Sequence, residues 1–190
     1  MSTAKKLNLE MSAADYLVWE RTQTERHEYF AGEVFSQAGG TRKHSLIGSN
    51  VLGEIQHVLK GRDCQAHGSD MKIHVEATGY FAYPDVSVVC PPIQGDSDDV
   101  IANPILIVEV LSPSTADFDR GTKFDHYRQI PSLQEYLIFS QDEPHVEQRT
   151  RTDEGSWLLR MFTGIDQLLT IASLKTTLAL RDAHQKVDFS

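Results

Sequence analysis

The chain has 190 residues, 40% of them apolar, and a formal net charge of −9, a size and composition that fit one globular domain over 1–190. The acidity argues against a broad grip on nucleic acid, which takes clustered Lys and Arg against the phosphates, so Arg42, Lys43, Arg120, Lys123 and Arg128 would have to gather locally. Cys64 and Cys90 are too few for a disulfide framework and too far apart for a zinc knuckle, and no run approaches the roughly 18 apolar residues of a membrane span; a reducing, cytoplasmic setting away from membranes is expected.

Residues 1–10 mix Lys5, Lys6 and Asn8 with few apolar side chains and read as a flexible N-terminus. Ser12 and Asp15 then form a capping pattern ahead of Tyr16, Leu17 and Trp19, which predicts a helix ending near Arg26. From Glu28 to Phe35 the pattern is two short strands meeting at Ala31-Gly32, before Gly39-Gly40 breaks the chain. Beyond His44, Ile47, Val51, Ile55 and Leu59 recur every four residues and define a helix face that Gly61 stops. Met71, Ile73 and Val75 alternate with Lys72, His74 and Glu76, as in a half-buried strand, and Val86 to Val89 make a more apolar one. Ile105 to Leu111 is apolar on both faces, the mark of a central strand. A helix from about Asp117 to Gln129 leads to another buried strand at Glu135 to Phe139, a βαβ unit whose strands should be parallel. Short strands near residues 145–149, 157–162, 168–171 and 178–180 are expected to close a second layer.

Glu109 is the one charge in the aliphatic run from Ile105 to Leu111. A buried carboxylate costs on the order of several kcal/mol unless it is paired, protonated or bound to a cation. An internal ion pair with Arg120 or Lys123 would satisfy it; so would a metal. Asp85 follows Pro84 at the start of the neighbouring strand, where a short carboxylate can project. Alone it reads as a turn residue. Two carboxylates on adjacent strands form a hard-oxygen site suited to Mg²⁺, with Mn²⁺ as a substitute. Lys123 shares a helix face with Asp119 and Tyr127 and could point at that pocket or form a surface pair with Asp119.

The segments Glu28-Tyr29-Phe30-Ala31-Gly32-Glu33, His44 with Asn50, Tyr83-Pro84-Asp85-Val86, and Asn103-Pro104 leading into Val108-Glu109-Val110-Leu111-Ser112-Pro113-Ser114-Thr115 resemble the Uma-two family of restriction endonucleases. The likeness continues through Asp119, Lys123 and Tyr127 to Ile130-Pro131-Ser132-Leu133-Gln134-Glu135-Tyr136, so it covers nearly the whole chain. It implies the α/β fold of the PD-(D/E)XK nuclease superfamily: an αβββαβ core with a mixed central sheet, here with additional C-terminal strands. It also implies Asp85, Glu109 and the Val110 carbonyl as metal ligands, and Asp85, Glu109 and Lys123 as the catalytic set. The superfamily lysine two residues after the acid is replaced by Leu111, and Lys123 matches a lysine relocated to the following helix. Glu33, His44 and Asp70 become auxiliary candidates, with Asp119 and Tyr127, and Arg42, Lys43 and Arg120 become nucleic-acid contacts.

The resulting expectation is metal-assisted hydrolysis of DNA by a homodimer, since two cuts on a duplex need two sites. The alternative is an inactive nuclease-derived module that binds a partner or nucleic acid, which the acidic charge favours. A carboxylate-pair glycosidase would need aromatic platforms that the sequence does not display.

Overall fold

The structure is a computed structural model that describes residues 5–37, 40–112 and 116–189. Gly39 of the glycine break and Pro113, Ser114 and Thr115 of the string after Glu109 lie outside the described residues.

The N-terminus differs from the flexible tail expected. Residues Lys6–Glu10 form β1, which pairs with β3 (Glu33–Ser36), and Leu7 packs against the cluster of Tyr16, Tyr29 and Val34. Ser12 caps α1 (Ala13–Glu20), accepting the Asp15 N–H at 3.1 Å. That helix ends well before Arg26, because Glu20 turns inward to accept the His27 N–H at 2.8 Å and the Tyr83 hydroxyl at 3.0 Å. The chain then enters β2 (His27–Phe30). Ala31 and Gly32 both take positive φ, 49° and 91°, the backbone a two-residue hairpin needs. Next comes α2 (Arg42–Val58), capped by Thr41, with Ile47, Val51 and Ile55 buried.

Six strands follow: β4 (Gln65–Gly68), β5 (Lys72–Val75), β6 (Tyr80–Ala82), β7 (Val86–Val89), β8 (Val100–Ile101) and β9 (Pro104–Leu111). The strands β4, β6 and β8 are too short to carry an alternating pattern and exist through their partners. Lys72, expected on a solvent face, is only 2% exposed. Its ammonium pairs with Asp99 at 3.3 Å and lies over the Tyr16 and Tyr83 rings at 5.7 and 5.6 Å, because this sheet is covered on both sides.

The segment after β9 folds as α3 (Ala116–Phe118), a π-helical turn over Asp119–Lys123, and α4 (Phe124–Tyr127). It delivers β10 (Glu135–Ser140) parallel to β9, as the βαβ reading requires. Then come β11 (His145–Arg151), β12 (Trp157–Thr163), β13 (Leu168–Ile171), β14 (Thr176–Ala179) and α5 (Leu180–Ala183).

The main sheet runs β12-β11-β10-β9-β7-β4, and a second sheet runs β1-β3-β2-β6-β5-β8. The C-terminal strands therefore do not close the second layer: β11 and β12 extend the main sheet, and only β13 and β14 leave it as a hairpin. The N-terminal strands supply the second sheet instead. One face of β9 packs Leu106, Val108 and Val110 against Ile47, Val51 and Ile55 of α2. The other face packs Ile107 and Leu111 with Ile73, Val75 and Tyr80 of the second sheet and with Tyr127. Glu109 shares this second face.

Cys64 and Cys90 are joined as a disulfide, which corrects the expectation of separate thiols and removes the ground it gave for a reducing compartment. Gln65 opposite Val89 sets the two cysteines across from each other at the ends of β4 and β7, a proximity that a separation of 26 residues conceals. Reduction is expected to lower stability by about 3.5 kcal/mol, the closure entropy of a loop this size. Urea unfolding with and without reductant measures it, and a Cys64→Ser/Cys90→Ser variant should show the same loss and no further response. Among the described residues no helix is long and apolar enough to cross a membrane.

Candidate active site

Continuing the antiparallel register of Val86 with Val108 by one residue sets Asp85 beside Glu109 at the end of β7. Asp85 sits in a bend after Pro84, where its carboxylate accepts the Val110 N–H at 2.7 Å and lies 3.4 Å from His44 Nε2. Gly48 of α2 lies over this strand end, where a methyl group would sit in ordinary contact with the Asp85 and Val110 side chains, at 3.9 and 4.0 Å. Burial pushes the Asp85 carboxyl above its ordinary range, while His44 and the Val110 N–H pull it back.

Glu109 is 4% exposed and faces the layer that holds the π-helical turn. Its Oε1 lies 3.0 Å from Lys123 Nζ and accepts the Tyr127 hydroxyl at 3.1 Å. Lys123 also lies 3.1 Å from Glu28 Oε1 and 3.5 Å from Asp119 Oδ1. The π turn buries Asp119 and Lys123 together, and wide turns of this kind concentrate at functional sites. Burial drives the Glu109 carboxyl well above its usual range; Lys123 opposes the rise, and Asp119, Asp85 and Glu28 add to it. For Lys123, burial favours the neutral amine, but Glu109, Glu28, Tyr127 and Asp119 outweigh it and hold the ammonium protonated well above its ordinary range. Lys123 is therefore a fixed cation rather than a proton acceptor. Burial also raises the Tyr127 and Tyr80 hydroxyls well above the ordinary tyrosine range, so both remain donors.

Three carboxylates, Glu109, Glu28 and Asp119, thus surround one ammonium, an excess of buried negative charge that can persist only by holding protons or a cation. Among the described residues no three His, Cys, Asp or Glu side chains are grouped to hold a metal by themselves. Mg²⁺ does not require that, since it takes one or two carboxylates and keeps its waters. The donors suited to it are Asp85, Glu109 and the Val110 carbonyl.

A cleft of about 960 Å³ opens on the Asp85 side of α2. Asp85 and His44 line it with Arg26, Asp70 and small residues including Gly48 and Ser49, whereas Glu109 does not. Asp70 pairs with Arg26 at the rim. The remaining candidates are dispersed. Glu33 pairs with Lys6 at the second sheet's edge. Arg120 is committed to Glu147 at 2.5 Å, Arg128 to Asp125 at 3.3 Å, and Lys43 lies over Phe189. Arg42 is exposed at the start of α2. Among the described residues Lys123 is the one lysine or arginine within ion-pair distance of Glu109. Asn50 ties α2 to the C-terminus through the Ala183 and Gln185 carbonyls. Glu28 was not singled out by sequence reasoning. The signal was weak, an acid in a short strand beside Tyr29 and Phe30, without the long aliphatic run that marked Glu109.

Known proteins resemble this chain in fold and in sequence. The solved structure of a "putative nuclease belonging to DUF820" from Anabaena variabilis superposes with a TM-score of 0.74 at 20% identity, covering 92% of this chain and 97% of that one. That likeness establishes the mixed α/β nuclease-like fold. Two Synechocystis sp. proteins are similar in sequence: "uncharacterized protein slr1290" at 40% identity over 83% of each chain, and "uncharacterized protein sll1609" at 34% over 87% of this chain and 94% of its own. The Uma2 family model, described as "Putative restriction endonuclease", matches residues 13–181, which include Asp85, Glu109, Lys123 and Glu28 alike. The chain belongs to the Uma2 family.

Proposed function

We propose that this chain is a Mg²⁺-dependent endonuclease that hydrolyses DNA phosphodiester bonds. The observation that carries the reading is the pairing of Glu109 with a buried, protonated Lys123 at 3.0 Å, next to Val110, whose N–H holds Asp85 at the wall of the cleft. Asp85, Glu109 and the Val110 carbonyl would hold the cation. When bound, Mg²⁺ supplies Lewis acidity for the attacking water and for the leaving oxygen. Asp85 is held in place by the Val110 N–H, so its carboxylate is fixed before substrate arrives. Lys123, unable to shed its proton, orients the attacking water and offsets negative charge that develops at phosphorus. His44, lining the cleft beside Asp85, is placed to donate to a phosphate oxygen. A symmetric pair of chains would cut both strands of a duplex.

Purified protein should nick or cut plasmid DNA with Mg²⁺ or Mn²⁺ and stop when the metal is chelated. Inertness across duplex, single-stranded and branched DNA would sink the enzyme reading in favour of a binding module on a nuclease fold. The placement of His44 has its own test. A methyl group on Gly40 would come within 2.6 Å of His44 Nδ1, so Gly40→Ala is expected to displace the ring and slow cutting by up to about 10²-fold, the scale of a small misplacement. Thermal unfolding should stay near wild type.

A further inference from the structure

We propose that Glu28 is a positioning residue that holds the Lys123 ammonium and so frees Glu109 for a divalent cation, an inference that rests on the metal-dependent reading above. An ammonium has three N–H donors, and Lys123 faces three carboxylates: Glu109 at 3.0 Å, Glu28 at 3.1 Å and Asp119 at 3.5 Å. These acids come from separate parts of the fold. Glu109 belongs to the central strand of the main sheet, Glu28 to the second sheet, and Asp119 to the π turn that also carries Lys123. Glu28 is buried, and its other oxygen accepts the Tyr80 hydroxyl at 2.6 Å. It is pinned at both oxygens and does not depend on Glu109 for its place.

Glu109 is engaged differently. Its Oε1 receives both Lys123 and Tyr127. A cation drawing on Glu109 therefore competes with the ammonium for that carboxylate. With only the more distant Asp119, at 3.5 Å, left to it, the buried ammonium would resist, since leaving it poorly paired is costly. Glu28 removes the conflict: it offers Lys123 a carboxylate at nearly the same distance, already in place. The ammonium stays protonated and stationary while Glu109 changes partner.

Mn²⁺ titration by calorimetry, with no DNA present, tests this. Glu28→Gln keeps the shape and an acceptor for Tyr80 but removes the charge, so Lys123 should draw harder on Glu109. Affinity for Mn²⁺ is expected to fall about tenfold, within the range of couplings in a shared ion-pair network. Cutting should weaken at low Mn²⁺ and recover as Mn²⁺ is raised. The Glu28→Gln/Lys123→Met double variant should bind Mn²⁺ at least as tightly as wild type, because the competing ammonium is gone; a purely structural role for Glu28 gives no such reversal. If Glu28→Gln does not fold, Glu28→Asp, which withdraws the charge by one methylene, should lower affinity in the same direction. Equal Mn²⁺ affinity in wild type and Glu28→Gln, or a double variant no better than Glu28→Gln, overturns the role of Glu28 alone. Absence of Mn²⁺ binding by wild type overturns the metal reading and this inference with it.

Discussion

Lys123→Met is expected to reduce Mg²⁺-dependent DNA cutting by roughly 10²–10³-fold, the usual cost of deleting one group that stabilises developing charge. The same substitution should cost roughly 3–5 kcal/mol in stability, because removing one partner of a buried ion pair leaves the other charges uncompensated. Here the uncompensated groups are Glu109, Glu28 and Asp119, all buried. Urea unfolding in chelator measures the loss. Added Mn²⁺ should then stabilise the variant more than it stabilises wild type, since a cation replaces the missing positive charge. A variant that cuts at the wild-type rate would remove Lys123 from the chemistry and leave it a structural counter-ion.

Two substitutions at Asp85 should separate charge from hydrogen bonding. Asp85→Asn keeps an oxygen that can accept the Val110 N–H, so the fold should hold with stability near wild type. Its charge is lost, and Mn²⁺ binding and DNA cutting should fall together, cutting by roughly 10²–10³-fold if the carboxylate contributes on the scale of other charge-stabilising groups. Asp85→Ala additionally orphans the Val110 N–H and should cost about 1–3 kcal/mol. Calorimetry, urea unfolding and plasmid nicking on the two variants give the comparison. Full cutting by Asp85→Asn would rule out the carboxylate as a metal ligand.

The partnership of Glu109 and Lys123 shows how far composition and pattern reach. A charge inside an aliphatic strand had to be neutralised, and Lys123 was one of two basic residues placed to do it. The structure selects Lys123 and sends Arg120 to Glu147. The ion-pair reading of Glu109 is met by the Lys123 contact. Glu28 escaped notice because its strand has four residues and abuts a hairpin, too short a run for an acid to stand out. Lys72 was assigned to solvent because alternation presumes one wet face, and this sheet has two covered ones.

The order of helices and strands around the core, the parallel pairing of β9 with β10, and the candidacy of Glu109 followed from the sequence, because periodicity and an isolated charge in an aliphatic run are local signals; Asp85 became a candidate through its partnership with Glu109, and Lys123 through resemblance. Tertiary structure alone decided that β11 and β12 extend the main sheet, that Cys64 meets Cys90, and that Arg120 pairs with Glu147. It also brought Glu28 to within 3.1 Å of Lys123 from 95 positions away in the chain. Such pairings depend on which sheet edge lies against which helix. That is settled by burial summed over the whole molecule, and no single stretch of residues encodes it.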